Sequence, residues 1–123
     1  MKAVVPTLRI HDWEPCRLFY VQGLGFGVDW EWRDAPHNPA IRQLRRDQAV
    51  LYLSEREEDG FPGAVVHLYV EDVDAWHRDL AERGVEVGGP PSDRPWGNRE
   101  FRLRDPVGNV LCLCTPAGQR RPA

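Results

Sequence analysis

A constant offset of about 60 residues relates three sets of landmarks, and it restricts the fold of this chain more than any other feature. Asp12 and Asp72 each begin a helical pattern, Val5 and Val65 lie in the strands before those helices, and Leu51-Tyr52-Leu53 matches Leu111-Cys112-Leu113. Arg46-Asp47 and Arg104-Asp105 both precede a hairpin return, the second copy carrying two extra residues. The chain therefore reads as one unit written twice.

Periodicity fills in that unit. Residues 3–10 alternate as a strand, 12–23 follow a helical spacing, and 28–33, 40–45 and 49–54 read as three further strands. After the charged, glycine-bearing loop 55–63 the order returns: strand 64–70, helix 72–83 stopped by Gly84, then strands near Val85, over 99–103 and over 110–114. The expected architecture is α+β, with paired βαβββ modules forming an open, curled mixed sheet and the helices on its outer face. One domain of 123 residues follows, its modules at about 1–60 and 61–116, with a short C-terminal tail at 117–123.

Each helix must cover one sheet face, so Leu18 and Phe19, and Trp76 and Leu80, are expected to point inward. Alternation then turns Val66, Leu68 and Val70 toward the helix and leaves Val65, His67 and Tyr69 on the open side. Trp30 and Trp32 share one face of their strand. If it is the open one, they join Tyr69 in lining a groove with flat rings.

The run from Arg94 to Asn109 places Trp96, between Pro95 and Gly97, on a loop at the lip of a sheet, and Asp105-Pro106-Val107-Gly108-Asn109 is turn chemistry. The mixed composition, 41% hydrophobic and 28% charged, is that of a chain with a real core. A net charge of −3 has the wrong sign for general phosphate-backbone binding, so no nucleic acid partner is expected. No apolar run approaches the roughly 20 residues that span a bilayer. With a start too short for a signal sequence, no membrane partner and a cytoplasmic location are expected. Cys16, Cys112 and Cys114, an odd set without paired CxxC spacing, read as reduced structural thiols. No nucleophile motif involves His11, His37, His67 or His77, so no catalytic residue is assigned. Gly23-Leu24-Gly25-Phe26-Gly27 follows a helix, the reverse of a phosphate loop, and reads as a helix stop. Glu55-Arg56-Glu57-Glu58-Asp59 is an acidic loop that attracts a basic ligand at most weakly.

Pro6-Thr7-Leu8-Arg9, Phe19-Tyr20, Leu24-Gly25-Phe26, Asp72-Val73-Asp74-Ala75 and the stretch from Pro95 to Asn109 together resemble the glyoxalase/bleomycin-resistance (vicinal oxygen chelate) superfamily over nearly the whole chain. Pro95-Trp96-Gly97, Arg99-Glu100-Phe101 and Arg104-Asp105-Pro106 with Gly108-Asn109 are most similar to the bleomycin-resistance proteins. The superfamily's enzymes hold a divalent metal with His, Gln or Glu on the open faces of four strands. The resemblance carries those positions onto Val5, Tyr52, Val65 and Cys112, and valines supply no lone pair. No metal and no cofactor are therefore expected, although a two-residue slip brings His67 to a ligand position, and His67 with Cys112 or Cys114 would suit a soft metal.

The resemblance implies a homodimer that sequesters a bleomycin-type glycopeptide, or a similar planar cation, without modifying it. Trp30, Trp32, His67, Tyr69, Trp96 and Gly97 are the expected ligand-binding residues. The alternatives are a metal-dependent lyase, dioxygenase or thiol transferase of the same superfamily, or a binding module for another small metabolite.

Overall fold

The computed structural model describes residues 1–116; the tail expected at 117–123 lies outside them. Strand β1 (Thr7–Arg9) leads to helix α1 (Trp13–Arg17), which runs on as a π-helical stretch over Leu18–Gly23 before β2 (Gly27–Trp32), β3 (Ile41–Arg46) and β4 (Ala49–Ser54). The order returns as β5 (Val65–Tyr69), α2 (Val73–Glu82), β6 (Ser92–Asp93), β7 (Asn98–Arg104) and β8 (Val110–Pro116). Two four-stranded mixed sheets result, ordered β1-β4-β3-β2 and β5-β8-β7-β6. In each, the first and fourth strands are parallel and the hairpin neighbours antiparallel, so the α+β class holds. Among the described residues no helix is long and apolar enough to cross a membrane.

The described residues divide into two compact units: Met1–Ala64 together with Asp105–Asn109, and Val65–Arg104 together with β8. In the first, Leu8, Ile10, Leu44, Leu51 and Leu53 point from the sheet toward Cys16, Tyr20, Leu24 and Phe26, and all are buried. Each such leucine contributes on the order of 2 kcal/mol of transfer free energy. The turn Asp105–Asn109 joins this unit through hydrogen bonds: Asn109 donates to the Arg9 carbonyl at 2.9 Å, and its Oδ1 accepts from the backbone of Gly63 and Ala64 at 2.8 and 3.0 Å.

The first helix departs from the expected spacing. Its π-helical part widens each turn, so the buried positions fall at Cys16, Tyr20 and Leu24, four apart, and Leu18 is turned outward at 49% exposure. Phe19 is half-buried, its ring edge-on to Tyr20 at 4.9 Å.

In the second unit, Phe101, Leu103, Leu111 and Leu113 are buried on the sheet, with Val73 and Leu80 on α2; Trp76 is half-buried. Asp72 caps α2 by accepting from Ala75 N at 3.0 Å. At the other end Gly84, at φ 83°, lets its own N–H reach Ala81 O and that of Val85 reach Leu80 O, at 3.1 and 3.0 Å. No strand forms at Val85: Gly88, Gly89, Pro90 and Pro91 interrupt the ladder, and pairing resumes only at Ser92–Asp93.

Candidate functional site

The open side of the first sheet is set by a β-bulge. Val28 pairs with Leu44 on the helix side, but the register then shifts and Trp30 pairs with Gln43. The extra residue, Asp29, is held by Gln43 Nε2 at 2.7 Å and Arg45 Nε at 3.0 Å. Trp30 and Trp32 consequently turn away from the helix, 39% and 48% exposed. Trp30 meets Tyr52 edge-on at 5.3 Å between centroids, in the row Thr7, Tyr52, Gln43, Trp30. Arg56 lies 5.9 Å from the Trp32 ring.

On the other side of this sheet Arg42 is buried 4.2 Å from the Trp13 ring centroid, bonded to Glu31 at 2.5 Å and Glu55 at 2.6 Å. Burial raises the Glu31 carboxyl, but Arg42 and then Arg33 outweigh it and hold it below its ordinary value. At one end of the unit a cleft of about 780 Å³ is lined by Arg9, His11, Asp34, His37 and part of the acidic loop, including Glu55, Glu57 and Glu58. Arg9 is 7% exposed and its Nε lacks a hydrogen bond. The sequence signalled the loop but not this cleft, because Arg9 reads as an ordinary alternating strand residue.

In the second unit Val65, His67 and Tyr69 are exposed while Val66 and Leu68 are partly covered, as alternation requires. Beside them on the open face stand Cys112, opposite His67, and Cys114, opposite Tyr69. Cys114 in turn pairs with Glu100. Trp96 sits on the β6–β7 turn, where Gly97 takes φ 100° and donates to Arg94 O at 3.0 Å. That turn leaves Trp96 60% exposed, with Arg94 5.7 Å from its ring centroid. Asn98 donates to the Tyr69 hydroxyl at 3.4 Å. His67, Tyr69, Trp96 and Gly97 thus belong to the second unit, and Trp30 and Trp32 to the first.

Glu100 is the residue that sequence reasoning missed. Its side chain has no exposure, yet its neighbours are donors: Trp96 Nε1 at 3.5 Å and Arg94 Nε at 3.4 Å, the latter too poorly aligned to count as a hydrogen bond. The Cys112 thiol is pushed up to about 12, first by burial and then by its hydrogen bond to Glu100. Cys114 is pushed up to about 11, again chiefly by burial. The signal available was that Glu100 alternates with Arg99 and Phe101 on a strand, which sets its face without saying that Trp96 and Arg94 lie over that one position.

The positions where the superfamily's enzymes bind metal do not suit one here. Val5 and Val65 offer no donor and Tyr52 packs on Trp30, so Cys112 is left as a lone ligand among the four positions, too few to hold a metal there. No chemical step through a metal at those four positions can be derived.

A family model described as Glyoxalase superfamily protein matches residues 1–119. TnmS3, an antibiotic binding protein from Streptomyces sp. CB03234, superposes with a TM-score of 0.73 at 31% identity, covering 94% of this chain and 97% of that one. A bleomycin-binding protein complexed with bleomycin gives a TM-score of 0.72 at 24% identity, covering 94% and 98%. Lactoylglutathione lyase from Agrobacterium tumefaciens also gives 0.72, at 17% identity and 94% coverage of each chain. The last two share the fold, which therefore serves both a protein that binds a drug and an enzyme.

Proposed function

We propose that this chain, which belongs to the glyoxalase superfamily, captures a bulky planar, cationic antibiotic of bleomycin type by ring stacking, with no bond made or broken. One observation carries the reading: Trp30, Trp32, Tyr69 and Trp96 stay exposed on open sheet faces or at a lip, while the superfamily's metal positions hold Val5, Tyr52, Val65 and Cys112. Exposed rings of this kind stack on heteroaromatic groups and attract cations through their electron-rich faces. His67 adds a polar edge and Gly97 sets the angle of Trp96. The 31% identity to TnmS3 supports antibiotic capture over an unrelated metabolite.

The working form in this reading is a cytoplasmic homodimer of single-domain chains. Val65, Tyr69 and Trp32 expose apolar area that a second copy would cover. The test is a titration of the full chain with metal-free bleomycin, chelator present, following tryptophan fluorescence, with mass measured in solution. Saturable quenching at micromolar drug is expected. An unchanged spectrum under those conditions refutes the reading. The enzymatic alternative rests on one observation: a ring nitrogen of His67, a carboxylate oxygen of Glu100 and the Cys112 sulfur lie within 4.8 Å of one another.

A further inference from the structure

On the open face of the second unit, His67 of β5, Glu100 of β7 and Cys112 of β8 bring an imidazole nitrogen, a carboxylate oxygen and a thiol sulfur within 4.8 Å of one another. We propose that these three side chains form a binding site for one thiophilic divalent cation of the zinc type. The set differs from the superfamily positions carried onto this chain: it uses three strands of a single module, and only Cys112 is common to both.

The donor types carry the choice of ion. Nitrogen, sulfur and one carboxylate oxygen suit a borderline-soft cation, whereas magnesium and calcium require oxygen shells. Four-coordinate zinc would retain one position for water or for a donor atom of a small molecule. The three donors come from separate strands in fixed register, His67 directly opposite Cys112 and Glu100 opposite Cys114, so they are held by the sheet and not by a loop.

A second observation points the same way. Glu100 is 1% exposed, and its Oε1 lacks a hydrogen bond. A buried carboxylate in that state is costly unless a cation answers it. Arg94 answers it in part, by charge at 3.4 Å, but Arg94 is itself 38% exposed on a turn and can swing into water when a divalent ion replaces it. Cys114, two residues on, is outside the set, and its Sγ donates to the Leu68 carbonyl. On binding, the sulfur–metal bond forms as the Cys112 S–H proton passes to solvent; nothing is oxidised.

The test titrates the full chain, stripped with chelator and kept reduced, with cobalt(II) alone. One cobalt per chain is expected, with a thiolate-to-cobalt charge-transfer absorption in the near ultraviolet and release of one proton. Cys112→Ser should abolish that absorption, and His67→Ala and Glu100→Gln should each weaken binding on the order of tenfold or more. His37→Ala, in the cleft of the first unit, should leave it unchanged. Circular dichroism and urea midpoints establish that each variant is folded. Cobalt binding without the charge-transfer band, a band that survives Cys112→Ser, or an affinity that falls only in His37→Ala would each overturn the assignment. Because no drug is present, the outcome is independent of the drug titration, which is run free of metal.

Discussion

The phenolic hydroxyl of Tyr20 donates to Asp105 Oδ2 at 2.7 Å, tying the first helix to a turn 85 positions away in sequence. Tyr20 is fully buried, and burial, followed by the Asp105 charge, pushes its hydroxyl above the ordinary range, so it remains a donor at every physiological pH. Asp105 also accepts from the backbone of Val107 and Asn109 and from Asn109 Nδ2. Tyr20→Phe keeps the ring and removes one bond to a carboxylate, and should cost about 2 kcal/mol. Urea denaturation measures this directly; a loss below about 0.5 kcal/mol would mean that solvent satisfies Asp105 without Tyr20.

Arg42 should prove the most sensitive charge in the first unit. It is 3% exposed, bridges Glu31 and Glu55, and lies against Trp13. Arg42→Met leaves Glu55, 19% exposed, without its charge partner while Glu31, 45% exposed, can turn to water, and should destabilise by about 1 to 3 kcal/mol, with Arg42→Lys recovering only part because one ammonium cannot reproduce the fork. The Glu31 carboxyl sits below its ordinary 4.5 in the folded chain, so its contribution is present above that pH and is lost as pH falls. Urea midpoints from neutral to acid pH should therefore converge for wild type and Arg42→Met; parallel curves would assign the effect to packing alone.

How far these features were legible depends on whether a local rule or a non-local contact decided them. Strand β4 falls at 49–54 as read, and the outward set Val65, His67 and Tyr69 follows from a period of two with no need of partners. Asp72 caps its helix as expected, whereas Asp12, its counterpart, makes no side-chain capping bond. The side to which Trp30 turns could not be read, because the bulge at Asp29 depends on Gln43 and Arg45 of another strand. Leu18 was misplaced because a π-helical stretch leaves no signature in hydrophobic spacing. Glu100 stayed hidden for a related reason. Burial of a charge is decided by what the fold stacks around it, here Arg94, Trp96 and Cys112, none adjacent in sequence.

The three thiols should behave as one silent class. Cys16 and Cys112 are pushed up to about 12 and Cys114 to about 11, all mainly by burial. Near pH 8 none is a thiolate, so a colorimetric thiol reagent should report no fast reaction in the native chain and three groups in denaturant. Their folded values exceed the ordinary 9.0, so the folded state holds these protons longer than the unfolded chain does. The stability they confer is complete below pH 9 and is lost as pH rises toward 12. The urea midpoint should accordingly drop between pH 8 and pH 10.5 by more in wild type than in a Cys16→Ala variant. Equal drops would place the alkaline sensitivity elsewhere.

Trp96 offers the sharpest separation between a ligand-contacting ring and a packing ring. At 60% exposure on a turn its ring contributes little to the core, and Trp96→Ala loses chiefly the 3.5 Å bond from Nε1 to buried Glu100, so the unfolding free energy from urea denaturation should fall by about 1 kcal/mol. If the ring stacks on the drug, the same change should weaken bleomycin binding by roughly 1 kcal/mol, about fivefold, in calorimetry. Gly97→Ala is the complementary probe. Its added Cβ meets nothing within 4 Å, but φ 100° disfavours any side chain, so the turn must re-form and carry Trp96 with it. A contacting role predicts that Gly97→Ala weakens binding although it deletes no contact atom. Trp30→Ala, which removes an edge-on partner of Tyr52, should lower both stability and affinity. If affinity survives all three changes, capture does not run through these rings and the proposed mode of binding falls.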